Sequence, residues 1–254
     1  MSAAAALAPS AADVGAAAAA AIRQHPEAAA WDATVAALGA HAGWSIGTAG
    51  GAPRRAPLFA RDVLDAPACV SARDMNAHAV TAELCVLLAA PLPPRARDDP
   101  PYTRARVARA VGVVTPALAV HASRFAPGAL DADAYGDGAR AAALKLADFG
   151  GVGALVTDDI GDVDVAAPEG DDDGLSRLGV TVEVDGRVVS EAHARHHPLD
   201  ALAWLANECP WGVGAGQRVL TGSVGGAPAL ALFDGAEVRA DFGVLGEVRL
   251  SVDE

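Results

Sequence analysis

Residues 79–94 read AVTAELCVLLAAPLPP, an apolar run that ends in prolines and therefore predicts a strand. Because side chains alternate between the two faces of a strand, Thr81, Glu83 and Cys85 lie on the same face. A second apolar run, VVTPALAVHASRF at 113–125, also predicts a strand. Between them, the two runs place one carboxylate and one imidazole on strands that are otherwise almost entirely apolar.

Two later segments carry clear local signals. VTVEVDGRVVSEA at 180–192 alternates on both sides of Asp185-Gly186, which predicts a β-hairpin. HPLDALAWLANEC at 197–209 predicts an amphipathic helix that begins at Pro198. Weaker patterns predict a short strand followed by a loop at 43–59, a helix at 98–112, and short strands at 217–223, 236–243 and 246–252.

The first forty residues differ in composition from the rest. Residues 11–24 and 27–40 have helix-forming composition and predict a helical hairpin. The Ala-rich start lacks a basic region and contains Asp13, so a helix is a better interpretation than an export signal. We predict a helical N-terminal segment at residues 1–42 and a β-rich core at 43–254.

Composition excludes several classes of protein. Of 254 residues, 52% are hydrophobic and 20% are charged, which indicates a folded globular chain rather than a disordered one. The net charge of −13 repels phosphate backbones and anionic lipid surfaces. No run of about eighteen strongly apolar residues occurs that would predict a transmembrane helix. We therefore expect neither a nucleic-acid partner nor a membrane partner.

Cysteine usage and one acidic segment bear on location and metal binding. Cys69, Cys85 and Cys209 are scattered and lack CxxC spacing, which argues against a disulfide framework or a zinc ribbon and favours a cytoplasmic protein. The acid-rich stretch at 158–173 lacks the alternating ligands of a calcium loop, so we interpret it as a solvated, mobile loop.

Eight segments, in order along the chain, resemble the fumarylacetoacetate hydrolase superfamily in its 2-keto-4-pentenoate hydratase and 4-oxalocrotonate decarboxylase branch. They are GWSIG (43–47), PLFARDVL (57–64), AELCVLL (82–88), TPALAVHASRF (115–125), DAYGDGA (133–139), HPLDALAWLAN (197–207), VLTGS (219–223) and ADFGVLGEVRL (240–250). The resemblance implies a mixed α/β (α+β) fold, with a fumarylacetoacetase-like rolled β-sandwich core and a helical N-terminal region. It also implies a homo-oligomer, a dimer or larger.

The positions that carry the chemistry of that branch are substituted here. Its enzymes hold a divalent cation through an E-x-E pair on one strand and a third Glu on a strand that reads roughly PALE. Those three positions are Thr81, Glu83 and Ala119 in this chain, and the lysine of the segment read GWKIG is Ser45. Three hard oxygen ligands suit Mg²⁺, and two of the three are absent. We therefore expect no metal and no other cofactor.

What remains at the former metal site suggests acid–base chemistry. If the second run is a strand, Ala119 and His121 share a face, and His121 and Glu83 can meet across the substituted site. A carboxylate beside an imidazole holds the imidazole tautomer and raises its basicity, so this pair is our candidate for catalysis. The alternative is a purely structural pair, with Glu83 a buried relic and His121 a core histidine.

Six further residues are candidates for substrate binding through hydroxyl, carboxylate or guanidinium groups: Ser45, Thr81, Arg124, Asp137, Thr221 and Ser223. Each has an ordinary structural interpretation as well, in a turn, a strand end or a surface ion pair. His78, His193, His196 and His197 have no His or acidic partner four residues further along the same helix and do not predict a metal site.

The sequence thus favours a metal-independent lyase, isomerase or cyclase that acts on an enolisable, carbonyl-containing small molecule. Two alternatives stay open. In the first, the chain is a non-catalytic binding or scaffold subunit that pairs with an active homologue. In the second, it is an ordinary 2-keto-4-pentenoate hydratase with unrecognised metal ligands.

Overall fold

A computed structural model describes residues 40–49, 52–123, 151–158, 174–226 and 229–253 of the chain. The predicted N-terminal helical hairpin, Arg124, Asp137 and the acidic stretch after Asp158 lie outside these residues. In the described ranges no helix is both long enough and apolar enough to cross a membrane.

The strands are β1 (His41–Ala49), β2 (Ala52–Phe59), β3 (Val63–Asp65), β4 (Ala68–Ser71), β5 (Ala77–Leu88), β6 (Val111–Ala122), β7 (Val152–Thr157), β8 (Gly179–Val184), β9 (Arg187–His193), β10 (Arg218–Ser223), β11 (Leu230–Ala231), β12 (Glu237–Asp241) and β13 (Glu247–Asp253). The helices are α1 (Ala72–Met75), α2 (Arg104–Ala108) and α3 (Pro198–Glu208).

The strands form two mixed sheets. The larger sheet has the order β2-β1-β10-β5-β6-β7-β3, and β11 adds to β5. Its β1–β10 and β3–β7 pairs are parallel, and the other pairs are antiparallel. The smaller sheet has the order β4-β13-β12-β8-β9. Strands β5 and β6 therefore lie in the middle of the larger sheet, where both faces are available for packing.

The main core covers one face of the larger sheet. Val80, Leu84 and Val86 of β5 are buried in it together with Leu118 and Val120 of β6. The same core includes residues of α3 and of the smaller sheet: Leu202, Leu205, Val238, Ala240 and Leu250. Because side chains alternate along a strand, Thr81, Glu83 and Cys85 face the opposite side of the sheet.

Several local predictions are confirmed. Strands β5 and β6 occupy the two apolar runs, and β8 and β9 form the predicted hairpin. Asp185 and Gly186 both have positive φ, 51° and 72°, as a two-residue hairpin turn of type I′ requires. Helix α3 begins at Pro198, and the His197 side chain accepts a hydrogen bond from the Leu199 N–H at its first turn.

Two local predictions are wrong. The segment at 43–59 is an antiparallel pair of strands rather than one strand and a loop. Its prolines, Pro53 and Pro57, are tolerated because β2 is an edge strand, whose outer N–H groups need no partner in the sheet. The helix predicted at 98–112 covers only α2, because Thr103 caps its start and β6 begins soon after its end.

Candidate active site

The substituted positions come together on the face of the larger sheet that is turned away from the main core. Strands β5 and β6 are antiparallel neighbours, and their register pairs Thr81 with Ala119, Glu83 with Ala117, and Ala79 with His121. Residues that face each other across antiparallel strands point to the same side of the sheet. This side therefore carries both Glu83 and His121, with Thr81 between them along the strand.

Glu83 is almost completely buried, with 4% of its surface exposed. Its Oε1 accepts a hydrogen bond of 2.9 Å from the Thr81 hydroxyl, and its Oε2 accepts one of 3.0 Å from the backbone N–H of Gly222 in β10. Burial raises the pKa of Glu83 from 4.5 to about 7, because the loss of solvent outweighs the two hydrogen bonds that favour the carboxylate. The Glu83 side chain thus titrates close to neutral pH.

The position of Gly222 depends on an irregularity in β10. The pairing of β10 with β5 shifts between Leu220 and Ser223, and Gly222 has a φ of 89° there. A residue with a side chain rarely adopts that conformation. Glycine at this position therefore allows the local turn that aims a backbone N–H at Glu83.

His121 completes a chain of three side chains. Its Nε2 lies 2.9 Å from the Thr81 hydroxyl oxygen, so Thr81 bridges Glu83 and His121, which make no direct hydrogen bond to each other. His121 is half-buried, and its pKa is lowered by burial and, to a lesser extent, by the nearby His78. The Nδ1 atom of His121 makes no hydrogen bond to any residue that the structure describes.

The other predicted site residues lie at various places around these three hydrogen-bonded side chains. Ser223 pairs with Glu83 in the strand register, and Ser45 is buried on β1 opposite Leu220. The Thr221 hydroxyl donates a 3.2 Å hydrogen bond to the Leu84 carbonyl. The structure therefore brings Thr81, Glu83 and His121 together. Ser223 lies on the adjacent strand β10 and Ser45 one strand further away, on β1, whereas Arg124 and Asp137 fall outside the described residues.

Sequence reasoning missed two threonines on the same face. Thr115 and Thr157 are both buried, and their hydroxyl oxygens lie 2.8 Å apart. Thr157 also donates a 2.9 Å hydrogen bond to the Pro116 carbonyl. A threonine within an apolar run is a local pattern that could have marked each residue as a candidate. The strand pairing that joins the two residues cannot be predicted from local sequence.

Apolar side chains surround these polar groups. Buried beside them is a second hydrophobic cluster: Leu58, Cys85, Ala117, Ala119, Val152, Leu155 and Leu220. Few water molecules can solvate a carboxylate in such surroundings, and this is the physical reason for the raised pKa of Glu83.

The described residues do not fit a magnesium ion at the substituted site. Mg²⁺ requires octahedral oxygen coordination, and the positions of Thr81, Glu83 and Ala119 supply one carboxylate. Both oxygens of that carboxylate already accept hydrogen bonds. Within the part of the chain that the structure covers, no three His, Cys, Asp or Glu side chains are grouped to hold a metal.

Comparison with known proteins identifies the fold. The structure of 4-oxalocrotonate decarboxylase from Pseudomonas putida G7, complexed with magnesium and adipate, superposes with a TM-score of 0.70 at 21% identity over 94% of this chain and 97% of the decarboxylase. A protein from Yersinia pestis assigned to the fumarylacetoacetate hydrolase family gives a TM-score of 0.54 at 16% identity, over 82% and 90% of the two chains. The fold is that of the fumarylacetoacetate hydrolase superfamily. The predicted mixed α/β (α+β), fumarylacetoacetase-like core is confirmed.

A further structure with this fold is 5-carboxymethyl-2-hydroxymuconate delta-isomerase from Mycobacterium smegmatis. It gives a TM-score of 0.57 at 16% identity, over 84% of this chain and 78% of the isomerase. No protein-family model matches the sequence, and no curated protein matches it either. The fold is thus shared with enzymes that are 21% and 16% identical in sequence to this chain.

Proposed function

We propose that this protein is an enzyme that acts by acid–base chemistry, without a metal ion, on an enolisable carbonyl-containing small molecule. The observation that carries the proposal is the hydrogen-bonded chain from Glu83 through Thr81 to His121. Two of its three members, Thr81 and Glu83, stand at positions where the resemblance implies ligands of a cation. The reaction class is that of a lyase, isomerase or cyclase, since proton transfer next to a carbonyl group is a step that all three classes use.

His121 is the proposed group that exchanges a proton with the substrate. Its lowered pKa keeps the imidazole neutral near pH 7, and a neutral imidazole is able to accept a proton from a carbon acid. Glu83 is the proposed second catalytic group. Its pKa of about 7 allows it to be present as carboxylate or as acid in the same pH range.

The proposed binding groups stabilise the oxygen of the enolate that forms. Without a cation, this negative charge needs hydrogen-bond donors, and the hydroxyls of Ser45 and Ser223 are candidates, together with Arg124. Thr221 is a further candidate only if its hydroxyl exchanges the hydrogen bond to the Leu84 carbonyl for one to the ligand. Asp137 is the proposed positioning group. That the decarboxylase with this fold was complexed with adipate supports a substrate that bears a carboxylate.

A non-catalytic binding subunit is the second candidate function. It is favoured by Leu58, Leu155 and Leu220, which are buried on the same face of the sheet as Glu83 and take up space there. In that case the chain of hydrogen bonds stabilises the fold and performs no reaction.

An activity screen with 2-oxo acids, dienols and β-dicarbonyl compounds tests the proposal. The purified protein is assayed with excess chelator and with added Mg²⁺, and equal rates are expected. His121→Ala should lower the rate about a hundredfold or more, the usual contribution of a general acid or base. Glu83→Gln should lower the rate as well, because an amide cannot change its protonation state as a carboxyl group does.

His196 supplies the matched control, because it is exposed and lies outside the site. His196→Ala should retain the wild-type rate. If His121→Ala melts at a lower temperature but keeps full activity, the acid–base role is wrong. Activity that disappears with chelator and returns with Mg²⁺ contradicts metal independence. For a non-catalytic subunit, no substrate responds and both site variants change only the stability, by about 1–3 kcal/mol.

A further inference from the structure

The Thr81 hydroxyl has two partners and only one hydrogen. Its oxygen lies 2.9 Å from Glu83 Oε1 and 2.9 Å from His121 Nε2. A hydroxyl donates one hydrogen bond, so at any moment it donates to one neighbour and accepts from the other. The proton on the one side therefore determines the proton on the other.

With a neutral imidazole, two arrangements of hydrogen atoms satisfy this geometry. In the first, Thr81 donates to the Glu83 carboxylate and accepts from the Nε2–H of His121, which leaves a lone pair on Nδ1. In the second, protonated Glu83 donates to Thr81 and Thr81 donates to His121 Nε2, which leaves the hydrogen on Nδ1. The imidazole is neutral in both arrangements, but Nδ1 is a base in the first and an acid in the second.

We propose that Thr81 is a positioning residue that couples the ionisation of Glu83 to the tautomer of His121, so that Glu83 exchanges protons with a ligand only through His121. The inference deepens the proposed function and rests on it for the identity of the ligand. It also gives Thr81 a role that differs from direct substrate binding.

The proton balance of one turnover follows from the two arrangements. The carbon–hydrogen bond of the substrate breaks as the Nδ1–H bond of His121 forms. The Nε2–H proton moves to the Thr81 oxygen while the Thr81 proton moves to Glu83 Oε1. One negative charge leaves Glu83 and one appears on the enolate, so the total charge is unchanged and no imidazolium forms. Reversal of the same steps returns the proton to another atom of the substrate.

The residues around Glu83 and His121 support these different roles of the two groups in proton transfer. Glu83 is buried and its Oε2 is held by Gly222, so the carboxyl group has little freedom to approach a ligand. The described strands beside it, β6, β7 and β10, face it with alanine, leucine, serine, threonine and glycine, which do not ionise near neutral pH. Among the described side chains, His78 is the ionisable group that acts on His121.

Threonine also suits this task sterically. A β-branched side chain has few rotamers on a strand, so its hydroxyl is held in one direction with little loss of entropy. Valine has nearly the same shape and lacks the hydroxyl, and serine keeps the hydroxyl on a less restricted side chain. These two substitutions separate the hydrogen bond from the packing.

The test is an NMR titration of the ¹⁵N-labelled His121 side chain in the full-length protein. In wild-type protein and in Thr81→Ser, the tautomer of His121 should change over the same pH range in which Glu83 ionises. In Thr81→Val, the His121 tautomer should become independent of Glu83. If the two titrations remain coupled in Thr81→Val, the proposal is wrong. Should that variant fail to fold, Thr81→Ala provides the same loss of the hydroxyl.

Thr115→Val is the matched control. Thr115 lies on the same face, but its hydroxyl pairs with Thr157 instead of Glu83, so its loss should leave the coupling intact. With a substrate from the screen, Thr81→Val should lower kcat by about tenfold or more at unchanged KM, and Thr81→Ser should stay close to wild type. A raised KM at unchanged kcat would instead indicate direct substrate binding by Thr81. The NMR result needs no turnover, so an inactive wild-type protein contradicts the proposed function and leaves the coupling to be judged by the titration.

Discussion

Replacing Glu83 by Gln removes one ionisable group from the buried face and changes almost no volume. The amide can reproduce the hydrogen bonds of the protonated acid, because its NH₂ group donates to Thr81 and its oxygen accepts from the Gly222 N–H. The variant therefore isolates the cost of ionising Glu83 within the folded protein.

The magnitude follows from the pKa of Glu83, which burial raises from 4.5 to about 7. An acid whose pKa is higher in the folded state ionises more easily in the unfolded chain, so stability falls as pH rises. The free energy of unfolding falls between about pH 4.5 and pH 7. Above pH 7 the total loss is about 3 kcal/mol. Glu83→Gln cannot ionise at this position, so its stability should not fall in this way. Its free energy of unfolding should equal that of wild type at pH 4.5 and be higher by about 3 kcal/mol at pH 8.

Urea denaturation of both proteins at several pH values between 4.5 and 8 measures the difference. The lowered pKa of His121 also changes stability with pH, but that contribution is present in both proteins and largely cancels in the comparison. Glu191→Gln, at an exposed position on β9, is the control and should follow the wild-type profile. Parallel wild-type and Glu83→Gln profiles across this range would refute the reasoning about the buried carboxylate.

Three further predictions concern metal, assembly and packing. Elemental analysis of protein purified in millimolar Mg²⁺ or Mn²⁺ should give well under one ion per chain, and a stoichiometric ion held at Glu83 would contradict this. Light scattering should report a dimer or larger homo-oligomer, whereas a clean monomer at micromolar concentration would count against the predicted assembly. Asn207→Ala should lower the free energy of unfolding by about 1–3 kcal/mol in urea melts, because Asn207 accepts from the Tyr102 N–H and donates to its carbonyl; an unchanged melt would show that these bonds contribute little.

Much of the local structure could be predicted from the sequence. Alternation along residues 79–88 and 113–122 is a short-range pattern, and it correctly assigns Thr81 and Glu83 to one face and Ala119 and His121 to one face. The turn at Asp185-Gly186 and the start of α3 are local as well, since they depend on the backbone preferences of a few adjacent residues. Local pattern failed for β2, where prolines indicate a loop but an edge strand tolerates them.

By itself, the sequence determined which residues can take part in chemistry, because alternation and residue type fix the face and the functional group. Only the tertiary structure decided how they connect. The register of β5 against β6 is set by pairing across about forty residues, and it puts the Thr81 hydroxyl between Glu83 and His121. The N–H of Gly222 reaches Glu83 from a strand 139 residues away. Burial, which raises the pKa of Glu83, arises from side chains of several strands at once, and no local segment contains that information.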